Sequence, residues 1–231
     1  MDPSSSSGGA SGCVGEPVVH FVYFVEADQV FSDQQRSDIE DFAFEFQQYW
    51  FEQLGSTFYL AQPVVEVIMA DHESGWYVET ADGIHGDPRW YRLGNIKNEV
   101  YAKLGIENFD PLHRVVNYPI ARFDGRVGVN FGGAWMDGDD MTCIPDDGPT
   151  FPYDDNGPAH CMGHVAHEFG HVLGLAHEGP EQDCMQFGFY DSVGGTGMCD
   201  FYPDNVAAIL DDPQNAGWLN AEPGQTCVPA R

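Results

Sequence analysis

The sequence predicts an α+β fold with two subdomains, and three observations carry that prediction. Apolar β-rich segments and helical periodicities follow one another through the first half of the chain. One helical segment, residues 33–54, repeats aromatic side chains along a single face. The last third then changes character, to one helix followed by Gly-, Pro- and Cys-rich irregular chain and a short final helix. At 231 residues the chain is long enough to bury a substantial core.

Residues 18–27 (VVHFVYFVEA) are rich in β-branched and aromatic side chains, which suit a packed, pleated surface. Ser32 then offers a side-chain acceptor to the free N–H groups of a helix start, with Asp33 in the first turn. Ile39, Phe42, Phe46, Tyr49, Trp50 and Leu54 recur at helical spacing and so share one face, and Gly55 supplies the stop. That aromatic stripe reads as core. Residues 63–69 (PVVEVIM) read as a second strand, and 95–104 as a second helix ended by Gly105. Further strands are expected over 114–122 and 127–131. Residues 132–158 hold Asp137, Asp139, Asp140, Asp146, Asp147, Asp154 and Asp155 among glycines and prolines, and read as a long surface loop. Such carboxylates admit calcium (Ca2+) as a second metal, although no complete EF-hand pattern occurs. A helix is expected over 160–174 and a last one over 204–211, behind Pro203, whose fixed φ suits a first turn. Residues 1–12 (MDPSSSSGGASG) read as a flexible leader or cloning remnant outside the fold.

The 37 Asp and Glu residues face only 9 Lys and Arg, a formal net charge of −28. Clustered basic residues of the kind that bind phosphate are missing, so nucleic acid and anionic membrane surfaces are excluded as partners. No apolar run approaches the roughly 18–20 residues that span a bilayer. Between Val127 and Ala230 there are 17 acids and no Lys or Arg. A solvated, exported surface accounts for that bias, and so does a site that selects cationic ligands. Six cysteines at wide spacings, with no CxxC, read as disulfides of a secreted or cell-surface protein. The pairings favoured are Cys143–Cys161 and Cys184–Cys199, each closing a local loop, and Cys13–Cys227, tying the chain ends together.

The chemistry concentrates in residues 167–178, HEFGHVLGLAHE. His167 and His171 are four apart, so on a helix they lie one above the other and can bind one metal ion. Glu168 can reach a water on that metal without being a ligand. Gly174 lets the chain turn after the helix and return His177 as a third ligand. Three protein ligands leave a position open for water, which marks a catalytic zinc site rather than a structural one. Glu168 would take the water proton and hand it to a leaving amine, so a peptide bond is the natural substrate. His164 lies near the same helix face and is the rival third ligand. His20, His72, His85 and His113 show no partner pattern.

HEFGHVLGLAH resembles the zinc signature of the metzincin metallopeptidases. The resemblance implies a metzincin-like fold: a twisted mixed sheet and two long helices in an upper subdomain, about residues 13–176, over a small irregular lower one, about 177–231. It implies one zinc ion (Zn2+) on His167, His171 and His177, with Glu168 as the catalytic base, in a single domain over 13–231. It also implies a supporting Met-turn, for which Met185 is the first candidate and Met198 the second. The short spacing from His177 to Met185 looks like the matrix-metalloproteinase-like members, whereas Glu178 and the segment MQFGFY look like astacins. Where astacins carry a tyrosine two residues after that methionine this chain has Phe187, so that residue's function is either absent or supplied elsewhere, with Tyr190 and Tyr202 as candidates. Cys13, in GCVGEP, does not match a propeptide cysteine switch.

The resemblance further implies an edge strand, residues 126–135, that pairs with an extended substrate through Val129, Asn130, Phe131, Gly132 and Gly133. Phe187 and Tyr190 would line a specificity pocket. The reading is a secreted zinc endopeptidase, expected to be monomeric, acting on protein or peptide substrates, with basic residues favoured by the acidic half. The alternative is a non-catalytic, zinc-stabilised binding or adhesin module on the same scaffold, in which Glu168 has no task.

Overall fold

Strand β1 (Val18–Val25) is buried along its whole length, so both of its faces must be covered. In the computed structural model, which describes residues 13–107, 110–119, 128–130, 133–135, 158–177, 183–186 and 199–230, this strand lies inside a six-stranded sheet. Its neighbours β2 (Tyr59–Met69) and β3 (His113–Pro119) both run parallel to it. β3 is followed across the sheet by β5 (Gly133–Trp135), also parallel, and by β4 (Gly128–Asn130), antiparallel, at the edge. The opposite edge is β6 (Thr226–Cys227), parallel to β2. The order is β4-β5-β3-β1-β2-β6, a mixed sheet.

Parallel neighbours need crossover helices, and these cover the two faces. α1 (Asp33–Leu54) links β1 to β2, with the Ser32 side chain accepting from the Gln35 N–H and Gly55 closing the helix at φ 75°. Its stripe packs on one face with Val19, Phe21, Tyr23 and Val25 of β1. α2 (Ser74–Glu79) and α3 (Tyr91–Leu104) cover the other face, against Val22 and Phe24. The alternation along β1 is the period of two that a strand imposes. On the α1 face also lies α4 (Pro158–Val172), whose Phe169 ring sits 5.4 Å from Phe46, 5.2 Å from Phe58 and 5.6 Å from Trp50. α5 (Pro203–Asp211) begins at Pro203 and completes that core through Ile209.

Several boundaries differ from expectation, for identifiable reasons. β2 starts at Tyr59 rather than 63, and its pairing with β1 shifts register between Val19 and Phe21. Proline has no N–H for a ladder and so reads as a strand start. α3 starts at Tyr91 rather than 95, and its buried Arg92, Asn95 and Lys97 obscure its apolar pattern. α2 and β6 leave no periodic signal in the sequence, since six and two residues are too short to show one. β5 occupies residues assigned above to the loop from 132 onward. The remaining acidic-loop positions considered for calcium lie outside the described residues.

Two disulfides are formed. Cys13–Cys227 joins the two ends of the described chain, and Cys184–Cys199 spans 15 residues near α5. The Cys143–Cys161 pairing lies outside the described residues. Among the described residues no helix is long and apolar enough to cross a membrane.

Candidate metal centre

α4 is held in rotation by its core face. Val165, Ala166, Phe169 and Leu173 are buried against the sheet and α1. With those positions inward, His167 and His171 fall on one adjacent stripe. The helix then ends in a Schellman turn: the Leu175 N–H bonds to Gly170 O at 3.0 Å and the Gly174 N–H to His171 O at 3.0 Å. Gly174 adopts φ 94°, a left-handed conformation that side chains rarely accept. This turn sends the chain back along the helix and brings His177 to the other two histidines.

The ring nitrogens fix the chemistry. His167 Nδ1 lies 2.6 Å from the Cys184 carbonyl oxygen, and His171 Nδ1 lies 2.8 Å from that of Leu175. A carbonyl oxygen only accepts, so both imidazoles carry their proton on Nδ1 and present an Nε2 lone pair. His177 Nε2 lies 3.1 Å from His167 Nε2 and 2.9 Å from His171 Nε2. One His177 proton could satisfy only one of those lone pairs. A cation between the three rings satisfies all of them, and tetrahedral zinc at Zn–N near 2.05 Å would set the nitrogens about 3.3 Å apart. The donor set therefore fits zinc, with imidazoles oriented by carbonyls. Burial lowers the His171 pKa and the neighbouring His177 lowers it further, against the opposing Leu175 bond, so the ring stays neutral and able to ligate.

Burial grades from His167 (buried) through His171 (half-buried) to His177 (exposed), so the centre faces solvent on the His177 side. This is the one group of three or more such side chains placed to hold a metal among the described residues, and calcium finds no support there. Glu168 follows His167 on α4 and is 6% exposed. Met185 is fully buried beneath α4, with its side chain against Gly170.

Of the other residues singled out, Val129 and Asn130 lie on the edge strand β4, and Gly133 opens β5. Both strands lie against α4. Phe131, Gly132, Phe187, Tyr190 and Met198 lie outside the described residues, as does the His164 side chain. Tyr202 immediately precedes α5, and its N–H donates to Asp183. Residues with no prior signal include Asp183, Gly170, and the carbonyls of Cys184 and Leu175. Backbone acceptors leave no trace in a sequence.

Neither a protein-family model nor a curated protein matches the sequence. Solved structures do. Wild-type OgpA from Akkermansia muciniphila superposes with a TM-score of 0.57 at 15% identity, over 97% of this chain and 68% of that one. The chain shares the fold of OgpA. Catalytically inactive OgpA in complex with an O-glycopeptide substrate, glycodrosocin, gives a TM-score of 0.55 at 14% identity, over 97% and 67% of the two chains. Archaemetzincin from Methanopyrus kandleri is more distant, with a TM-score of 0.45 at 12% identity, over 84% and 94%. The α+β fold class expected from the sequence is the one observed.

Proposed function

We propose that the chain is an exported zinc-dependent endopeptidase, with His167, His171 and His177 holding one zinc ion and Glu168 as general base. The observation that carries this reading is the pair of carbonyl oxygens at His167 Nδ1 and His171 Nδ1, which leaves the two Nε2 atoms converging on His177. A zinc ion held there would supply polarisation of a peptide carbonyl and a water whose pKa is lowered toward about 7. Glu168, next to His167 and largely shielded from solvent, accepts a proton from the attacking water and delivers it to the departing amine nitrogen. Met185 supports the centre from below.

The edge strand β4 would receive the substrate as an added strand, through the backbone of Val129 and Asn130, with Gly132 and Gly133 allowing close approach. Phe187 and Tyr190 would line the pocket beside it. OgpA, which shares the fold, takes an O-glycopeptide; here the substrate class proposed is a protein or peptide. The stretch without Lys or Arg includes all four site residues, so basic side chains near the cleaved bond are favoured, less so as salt rises.

The test is cleavage of a mixed peptide library with and without chelator, beside metal analysis. One zinc per chain, cleavage reversed by chelation, and a Glu168→Ala variant that keeps zinc but loses cleavage are expected. A zinc-loaded protein that cleaves nothing would instead be the binding module.

A further inference from the structure

We infer that Asp183 is a positioning residue for the metal centre, aiming His167 through the peptide group between Cys184 and Met185; this rests on the zinc reading above. Asp183 is fully buried, and a carboxylate there is costly unless its oxygens are filled. Three donors fill them. The Met185 N–H reaches Oδ1 at 2.6 Å, while the Tyr202 N–H and the Asn205 side-chain amide each reach Oδ2 at 2.8 Å.

The Oδ1 bond matters most for the centre. The Met185 N–H and the Cys184 C=O belong to one rigid, planar peptide unit and point to opposite sides of the chain. Asp183 holds the N–H end of that unit. The other end, the Cys184 carbonyl, accepts from His167 Nδ1 at 2.6 Å. Fixing one end fixes the aim of the other. A carboxylate on the N–H also polarises the peptide and makes its oxygen a stronger acceptor. The arrangement is a carboxylate–histidine pair with a peptide between them, so it serves the purpose of a direct carboxylate partner at one remove. The surrounding turn is braced elsewhere too: the Cys184 N–H donates to Asp200 O at 3.1 Å and the Gln186 N–H to Asp183 O at 2.9 Å. Those bonds place the chain; only the carboxylate acts on the peptide that faces His167.

A tether between this turn and α5 is the competing role, and two substitutions separate the two. Asp183→Ala removes every side-chain acceptor. Asp183→Ser loses the reach to α5 but keeps a hydroxyl able to accept from the N–H two residues on. Asn205→Ala cuts one α5 bond and leaves the Met185 bond intact. Zinc affinity is measured by competition with a chromophoric chelator. The His167 Nδ1–H proton is followed by NMR in the metal-free protein. Expected are a zinc affinity about 10–100-fold weaker and a displaced or lost His167 resonance in Asp183→Ala. Asp183→Ser should recover most of both, and Asn205→Ala should stay within about twofold of wild type. Equal losses in Asp183→Ala and Asp183→Ser, or an unmoved His167 resonance in Asp183→Ala, would overturn the inference. Should Asp183→Ala not fold, an Asn205→Ala variant that loses about tenfold or more in zinc affinity would overturn it equally, and one within about twofold of wild type would support it. Wild type that binds no zinc would sink the zinc reading instead, while the His167 resonance still tests the role of Asp183.

Discussion

The Met185 sulfur occupies the space in which a side-chain carbon on Gly170 would stand, with Met185 Cε and Phe201 Cε1 each 3.3 Å from that point. Gly170 lies on α4 between His167 and His171, so the methionine packs directly under the segment that presents both rings. Gly170→Ala should therefore force Met185 aside and lower stability by about 1–3 kcal/mol, despite alanine's better helix propensity. Paired with Met185→Ala, which vacates the space, the same substitution should cost clearly less. Urea denaturation of the two single variants and the double variant reads that coupling, and strict additivity would contradict the contact.

Gly174 should be equally intolerant, for a backbone reason. At φ 94° an alanine is strained, and about 1–2 kcal/mol of stability should be lost in Gly174→Ala. Because this residue turns His177 toward the other rings, zinc affinity should fall along with stability. A variant with lowered stability but unchanged zinc affinity would show that His177 reaches its place by another constraint.

Stability should also fall toward acid through the buried His20–His113 pair. His20 on β1 is buried, with Nε2 2.8 Å from His113 Nδ1, and burial, aided by His113, pushes its pKa down to about 3. Burial lowers His113 as well. The unfolded chain binds protons on these rings near pH 6.5 whereas the folded one resists, so their contribution is intact above about 6.5 and is lost progressively toward about 3. Denaturation midpoints at pH 7.5 and 4.5 measure the slope. It should shrink in His20→Phe, and a slope unaffected by that substitution would assign the acid sensitivity to the carboxylates.

Zinc itself should act as a folding ligand. At a free concentration a hundred times its dissociation constant, one bound ion adds about 2.7 kcal/mol. Thermal unfolding should rise with zinc, drop with chelator, and lose most of this response in His171→Ala. Identical melting curves with and without metal would argue against a preformed site.

The sequence exposes parts of this architecture whose signal is periodic and long. The stripe from Ile39 to Leu54 and the apolar run at Val18 could be placed with little ambiguity, as the helix bounds at Ser32 and Gly55 show. What escaped is local or buried against type. β6 is two residues stitched to β2 beside a disulfide, and α3 hides Arg92 and Lys97. At the centre, residue spacing groups three histidines, and the structure brings them together. It cannot reveal that Cys184 and Leu175 set their tautomers, because every residue type offers the same carbonyl. Asp183 was one acid among 37, and only its burial and three donors distinguish it.

The Cys13–Cys227 bond gives the molecule a mechanical property. Pulled from whatever lies before residue 13 or after residue 227, the chain transmits load across one covalent link, since the two residues stand with Cα atoms 4.8 Å apart. Tension thus bypasses the sheet and the histidine cluster. A domain wired this way can be anchored or stretched at either end while its metal-binding geometry stays slack.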